Sequence, residues 1–186
     1  MQRTMGNQTN GYVDPRRVFF LLLILIAITA NSIQVLAQGV KKNIIKITVV
    51  EGTNMASSIS PDHRTIAVDL QGTICTLPIS GGAATLLTDG MGDERQPTWS
   101  PDGNTILFHS YRDGNYHIWT IHKDGSGLKQ ITFGMFDDRE PHWSPDGTRI
   151  TFSSDRSGNY DIWEMMFATG VLKHLTNDPA NDYHPA

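Results

Sequence analysis

Cysteine is nearly absent from the 186 residues: Cys75 stands alone. No disulfide can form within the chain, which excludes a small fold stapled by bridges and leaves Cys75 to act as a small buried hydrophobe. Glutamate is scarce too, with 4 residues against 15 aspartates. Glu favours helix interiors and Asp favours turns and caps, so the imbalance speaks for short strands joined by tight turns. After residue 40 no stretch combines a helical period with a capping box, and folds built from helix pairs drop out. No basic stripe for nucleic acid exists, and that partner class is excluded. Catalytic signatures are also missing. The seven histidines form neither H-x-H nor H-E-x-x-H, G-S-G at 125–127 is not a G-x-S-x-G elbow, and no D-x-D-x-D-G calcium loop occurs. No catalytic residue, cofactor or metal ligand is expected in these residues.

Charge is split along the chain. Residues 1–37 carry Arg3, Arg16 and Arg17 against Asp14, which leaves 12 basic and 18 acidic side chains in 38–186, a net charge of −6. Arg16-Arg17 precede the 13-residue apolar run 18–30, and N-S-I-Q-V-L-A then sets Val35 and Ala37 at the small-residue positions before Gln38. A basic start, an apolar middle and a small-residue end describe a secretory signal peptide. The run is short for a hydrocarbon core of about 30 Å. Residues 1–37 therefore read as a signal peptide of a periplasmic or extracellular protein. The alternative is an uncleaved segment that anchors the chain in a membrane.

The rest of the chain repeats with a step of 44 residues. Q-P-T-W-S-P-D-G (96–103) recurs as E-P-H-W-S-P-D-G (140–147), Arg112, Gly114, Asn115 and Tyr116 as Arg156, Gly158, Asn159 and Tyr160, and Ile118-Trp119 as Ile162-Trp163. Leu87-Thr88, Ile131-Thr132 and Leu175-Thr176 keep the step, as do Pro97, Pro141 and Pro185. An earlier copy begins at Ser60-Pro61-Asp62, only 40 residues before Ser100, and the missing four residues fall between Val68 and Ile74.

Each copy reads as four strands. Strand A runs into W-S-P and ends at a Pro-Asp-Gly turn. Strand B covers 105–110 or 149–154, strand C 116–121 or 160–165, and strand D 128–132 or 171–176. Four antiparallel strands per period of about 40–45 residues describe a β-propeller blade. W-S-P-D-G, then x-I-x-F-x-S-x-R-x-G-N-x-x-I-W and a closing L-T, resembles the WD-like repeat of TolB-type propellers over residues 52–186. E-G-T (51–53), S-P-D (60–62) and D-L-Q-G-T-I-C-T-L-P-I-S-G-G (69–82) are similar to the propeller that precedes bacterial amidohydrolase domains. That second resemblance implies a metal-dependent hydrolase barrel beyond residue 186. The expected organisation is a signal peptide (1–37), a lead-in strand (38–51) and blades at about 52–92, 93–136 and 137–180, with a fourth starting at 181–186. The fold class is all-β: an incomplete propeller ring of about three four-stranded antiparallel blades. Rings generally need about four to eight blades, so the chain is expected to be part of a longer exported protein.

Residues present in every copy serve the blade, because each blade solves the same packing problem. Trp99, Trp119, Trp143 and Trp163 read as core aromatics between blades, and Asp102 and Asp146 as turn residues. Arg112 and Arg156 are expected to pair with a neighbouring blade's carboxylate. His117, replaced by Asp161 in the next copy, reads as a surface strand position. Candidate binding residues gather where the B–C turns and D–A connections meet: Glu94, Arg95, Arg112, Asp113, Asp138, Arg139 and Asp182. Glu94, Asp138 and Asp182 line up to attract a cation or basic peptide, or else Arg and Asp satisfy one another in a solvated loop. Function then reads as an exported, non-catalytic module that binds protein or peptide, or scaffolds. The alternative is the accessory propeller of an amidohydrolase, or less favourably of a prolyl-oligopeptidase-type peptidase, with that downstream catalytic domain as its partner.

Overall fold

The computed structural model describes residues 55–185. The segments read as signal peptide and lead-in strand lie outside the described residues, as does E-G-T at 51–53. The first blade comprises β1 (Ser57–Ile59), β2 (Thr65–Leu70), β3 (Thr73–Pro78) and β4 (Thr85–Leu86). The second comprises β5 (Arg95–Trp99), β6 (Thr105–Ser110), β7 (His117–His122) and β8 (Lys129–Gln130). The third comprises β9 (Asp138–Trp143), β10 (Arg149–Ser154), β11 (Asp161–Met166) and β12 (Leu172–His174). Each quartet forms its own antiparallel sheet in chain order, as the repeat predicts. The three sheets are open, propeller-like blades that do not close a ring among the described residues.

The S-P-D turn explains why the sequence breaks where it does. Ser100 and Ser144 hydroxyls donate to Asp102 and Asp146 at 2.5 Å, and the same carboxylates accept the N–H of Asn104 and Thr148 at 3.0 Å. The Ser144 hydroxyl is the main cause that holds Asp146 down at about 2. Gly103 and Gly147 then take φ of 68° and 69°, a region open to glycine at little cost. In the first blade this place falls to His63, at φ 57°. The shorter first repeat is explained at the other end. Leu70 pairs with Thr73 across a two-residue turn, Gln71-Gly72, whereas residues 111–116 and 155–160 form the corresponding loops. Both turn residues have positive φ, 51° and 75°, the geometry that matches the twist of a tight hairpin.

Entry strands β5 and β9 each carry a bulge, at the register shifts between Arg95 and Thr98 and between the partners of Thr151 and Ser153. Gln96 and Glu140 sit there with φ of 52° and 56°, and His184 repeats the conformation at 56°. Pro97, Pro141 and Pro185 follow, all buried. Residues 181–185 thus lie against the third blade as 93–97 and 137–141 lie against the first and second.

Two apolar clusters join the blades. Ala67, Ile74 and Leu87 meet Trp99, Ile106, Phe108 and Ile121, with Trp119 packed alongside. Leu107 and Ile118 meet Ile150, Phe152 and Met165, flanked by Trp143 and Trp163. The tryptophans stand where repetition places them. Cys75 is buried in β3, and burial pushes its thiol pKa up, away from reactivity. His117 departs from expectation. It is 1% exposed, not a surface position. An Asp in the next copy signals exposure only if that Asp is exposed, and Asp161 is itself fully buried.

Candidate functional site

The β6–β7 and β10–β11 loops meet the connections between blades at one end of the sheets. The Tyr111 N–H donates to Gly92 O, and the Asp137 N–H to Asp155 Oδ1 at 2.9 Å. A row of alternating Arg, Asp and Tyr crosses this end. Arg95 pairs with Asp93 at 2.9 Å, and the Tyr116 hydroxyl donates to Asp93 Oδ2 at 2.9 Å. The Arg139 guanidinium lies 4.1 Å over the Tyr116 ring and pairs with Asp137 at 2.7 Å. Asp137 also accepts the Tyr116 N–H at 2.9 Å and the Tyr160 hydroxyl at 3.3 Å. One step on, Asn181 takes the Asp137 place by accepting the Tyr160 N–H at 3.0 Å, and Tyr183 takes the Arg139 place with its ring 4.9 Å from Tyr160.

These contacts set the charge states of the row. Arg95 holds the Asp93 carboxyl below its ordinary range. Burial works against the Asp137 charge, but the Tyr116 N–H and Arg139 outweigh it and the net direction is down. Burial lifts the Tyr160 phenol to about 12. The row therefore keeps its ion pairs at neutral pH while the phenols stay donors.

Behind it lies a second, buried set. Arg112 contacts Glu94 at 2.5 Å and the exposed Asp89 at 2.5 Å, and Arg156 contacts Asp138 at 2.7 Å; Glu94 and Asp138 are fully buried. The guanidiniums also face Trp119 and Trp163 at 5.7 and 5.1 Å. Glu94 immediately precedes β5 and Asp138 opens β9, the entry strands of the blades that carry Arg112 and Arg156. Arg112 thus pairs as expected with a neighbouring blade's carboxylate, Asp89, and also inside its own blade with Glu94, whereas for Arg156 the expected pairing gives way to Asp138 inside the blade. The reason is reach: each loop turns back over the start of its own blade, where Glu94 and Asp138 stand.

Of the remaining candidates, Asp113 is exposed and accepts from Gln130 Nε2 at 2.8 Å. The half-buried Asp182 donates its N–H to Tyr160 O at 2.6 Å, as Asp138 does to Tyr116 O at 2.7 Å. The structure thus brings Glu94 to Arg112, and places Arg95 and Arg139 with Asp93 and Asp137. It does not bring the three aligned acids Glu94, Asp138 and Asp182 to one open surface.

Sequence reasoning passed over the tips of the connections. Met91 is 78% exposed and Met135 is 87% exposed, at the same position 44 residues apart. Phe133 and Phe136 flank Met135 and are exposed as well. G-M at 90–91 and 134–135 was a signal available in the repeat. At the opposite end, a cavity of about 430 Å³ lies between Pro101, Trp143 and Phe167, where Asp102 and Asp146 are committed to their turns. Among the described residues no three His, Cys, Asp or Glu side chains are grouped to hold a metal, and no helix is long and apolar enough to cross a membrane.

The family model described as the TolB beta propeller domain matches residues 26–136. An uncharacterized protein of Agrobacterium fabrum is 40% identical over 57 residues, 31% of this chain and 20% of that protein. The Tol-Pal system protein TolB of Syntrophus aciditrophicus is 53% identical over 34 residues, 18% of this chain and 8% of that protein. A structure designated TolB from Agrobacterium tumefaciens has a TM-score of 0.59 at 29% identity, covering 66% of this chain and 50% of its own. TolB from Acinetobacter baumannii has a TM-score of 0.58 at 26% identity, covering 68% of this chain and 33% of its own. The chain thus spans a fifth or less of these curated relatives and half or less of these solved structures.

Proposed function

This chain belongs to the TolB β-propeller domain family, and from that footing we propose that it is an exported, non-catalytic module that binds a protein or peptide at the loop end of its blades. The observation that carries this reading is the pair Met91 and Met135. Large flexible apolar side chains stand in solvent at the same place on successive connections, two residues before Asp93 and Asp137 of the outer row. Isolated exposed apolar residues are ordinary, but repeated ones beside aromatic and Arg side chains have the composition of an interface. A rigid row that keeps its charges at neutral pH supplies the polar rim.

Export is supported by the basic, apolar and small-residue order of residues 1–37. The blades are then the working part of the exported chain, within a ring that takes more blades than three. The module uses no cofactor. Attachment to a downstream amidohydrolase domain rests on the resemblance of residues 51–82 and is kept as the alternative parentage.

Site-directed photo-crosslinking of the full chain in cells tests the binding reading. A probe at position 91 or 135 is expected to give a discrete protein adduct, and a probe at Asn104, on the S-P-D-G end, is expected to give none. Adducts at 104 alone, or none at 91 and 135, would contradict it.

A further inference from the structure

The cavity of about 430 Å³ at the S-P-D-G end opens between the second and third blades. Its volume suits a small organic molecule. Pro101, Asp102 and Thr105 line it from the second blade, and Trp143, Asp146 and Phe167 from the third. The Trp143 and Phe167 rings meet edge to face at 4.6 Å, and both are half-buried. Asp102 and Asp146 give Oδ1 to their turns. Asp102 Oδ2 accepts the Asn104 amide at 3.1 Å, whereas Asp146 Oδ2 faces Arg149 at 3.9 Å. Arg149 leans to Glu164 instead, at 3.2 Å. The Ser100 and Ser144 hydroxyls, foremost, hold both carboxyls below their ordinary range, so two negative charges flank the two rings at neutral pH.

The preceding junction shows what such a place holds. Pro61, Asp62 and Trp99 stand there at the positions of Pro101, Asp102 and Trp143. Blade spacing is the same: a Cβ at Gly103 would lie 3.5 Å from Pro61 Cδ, and one at Gly147 3.6 Å from Pro101 Cδ. The chain follows the same path as well, because the Lys123 N–H donates to Asn104 O at 3.1 Å and the Phe167 N–H to Thr148 O at 2.9 Å. The side chain differs. Lys123 supplies an ammonium, which donates to Asn104 Oδ1 at 3.1 Å. Its charge adds to the Ser60 hydroxyl, the main cause, in lowering the Asp62 carboxyl. Phe167, 44 residues on, brings a ring and no charge. The acids recur at the second junction without the ammonium.

We propose that this groove binds a small organic ammonium, whose charge serves Asp102 and Asp146 as Lys123 serves Asp62, and whose alkyl part lies on Trp143 and Phe167. Carboxylates and aromatic faces attract the same cation, and the apolar stem gains by leaving water. A neutral molecule of equal size forgoes the charge, and an anion is repelled by the two acids. The groove lies at the opposite end of the blades from Met91 and Met135, so the proposal does not depend on the binding reading of the loop end. A small ammonium also leaves no protein adduct at Asn104, and the two readings therefore fail separately.

The test is an NMR titration of the full chain with n-butylammonium at constant ionic strength, following the Trp143 indole and the Phe167 ring. Both signals are expected to move and saturate in the millimolar range, with n-butanol and butyrate at least tenfold weaker. Phe167→Lys plants the lysine of the preceding junction in the groove and should weaken n-butylammonium binding at least tenfold. D146N keeps the acceptor that the turn needs while removing the charge, and should weaken binding at least threefold. Unchanged amide signals in β10 show that the blade persists in each variant. An n-butanol response equal to that of n-butylammonium would overturn the proposal. So would Trp143 and Phe167 signals that never saturate, or undiminished binding in Phe167→Lys or D146N.

Discussion

His109 shows how one side chain can hold two blades in register. Its Nδ1 accepts the Glu140 N–H at 3.2 Å, where the bulge of β9 would otherwise leave that donor unpaired. Asp69 does the same for the Gln96 N–H at 2.8 Å, and Glu140 Oε2 for the His184 N–H at 2.7 Å. A protonated His109 cannot accept there. Burial, followed by Arg139 and Arg95, lowers its pKa from 6.5 to about 3. The folded state therefore binds fewer protons than the unfolded chain between those values, so this contribution to stability is complete above pH 6.5 and is lost as pH falls towards about 3. Denaturant midpoints should decline just below pH 6.5, and His109→Asn, which keeps an acceptor but cannot titrate, should flatten that decline. An unchanged slope in the variant would count against the assignment. His63 offers a second test at this scale. It holds φ of 57° where the later repeats have Gly103 and Gly147, so His63→Gly should raise stability by about 1 kcal/mol. A lower melting temperature would contradict this.

Strands and loops tell which parts were legible in the sequence. The step of 44 located the four-strand blades, the S-P-D-G turns and the shortened hairpin of the first copy, because turn chemistry and core packing recur wherever the backbone recurs. Strand C begins one residue later than the pattern implies, at His117 and Asp161, since Tyr116 and Tyr160 turn to the loop row. The site was less legible. Repetition singled out the middle acids of D-E-R and D-D-R, but the bulge turns Glu94 and Asp138 inward and leaves Asp93 and Asp137 in the outer row. A bulge cannot be read from hydrophobic alternation, so the direction of those side chains was hidden. The His117 error has the same root: a position that changes chemistry between copies is not thereby exposed.

The closing L-T of each repeat is also structural, because Thr88, Thr132 and Thr176 hydroxyl oxygens accept the N–H of Ile74, Ile118 and Ile162 at 2.9, 3.0 and 2.9 Å. Thr132→Val leaves a buried N–H unpaired and should cost about 1–3 kcal/mol. Thr176→Val, at the less buried third copy, should cost less. Equal losses on chemical denaturation would show that burial does not set the cost.

At the scale of the molecule, each blade is completed by its neighbours. Leu87 is 8% exposed between the first and second blades, whereas Leu175, at the same position in the third, is 43% exposed. On the other flank, Trp99 is 7% exposed and Ile59, its counterpart in the first blade, is 51% exposed. The middle blade is covered on both faces, so amides of β6 and β7 should exchange about tenfold more slowly than those of β2 and β10. Repetition accounts for the packing, and what stands in solvent at repeated positions without packing accounts for the binding face. Methionine oxidation tests that division most directly, because Met91, Met135, Met55 and Met166 are all exposed, at 78%, 87%, 44% and 39%. With the full chain oxidised in cells and after purification, Met91 and Met135 should be protected in cells by a bound partner, while Met55 and Met166 react alike in both. Equal oxidation of Met91 and Met135 in the two settings would contradict a partner at the loop end.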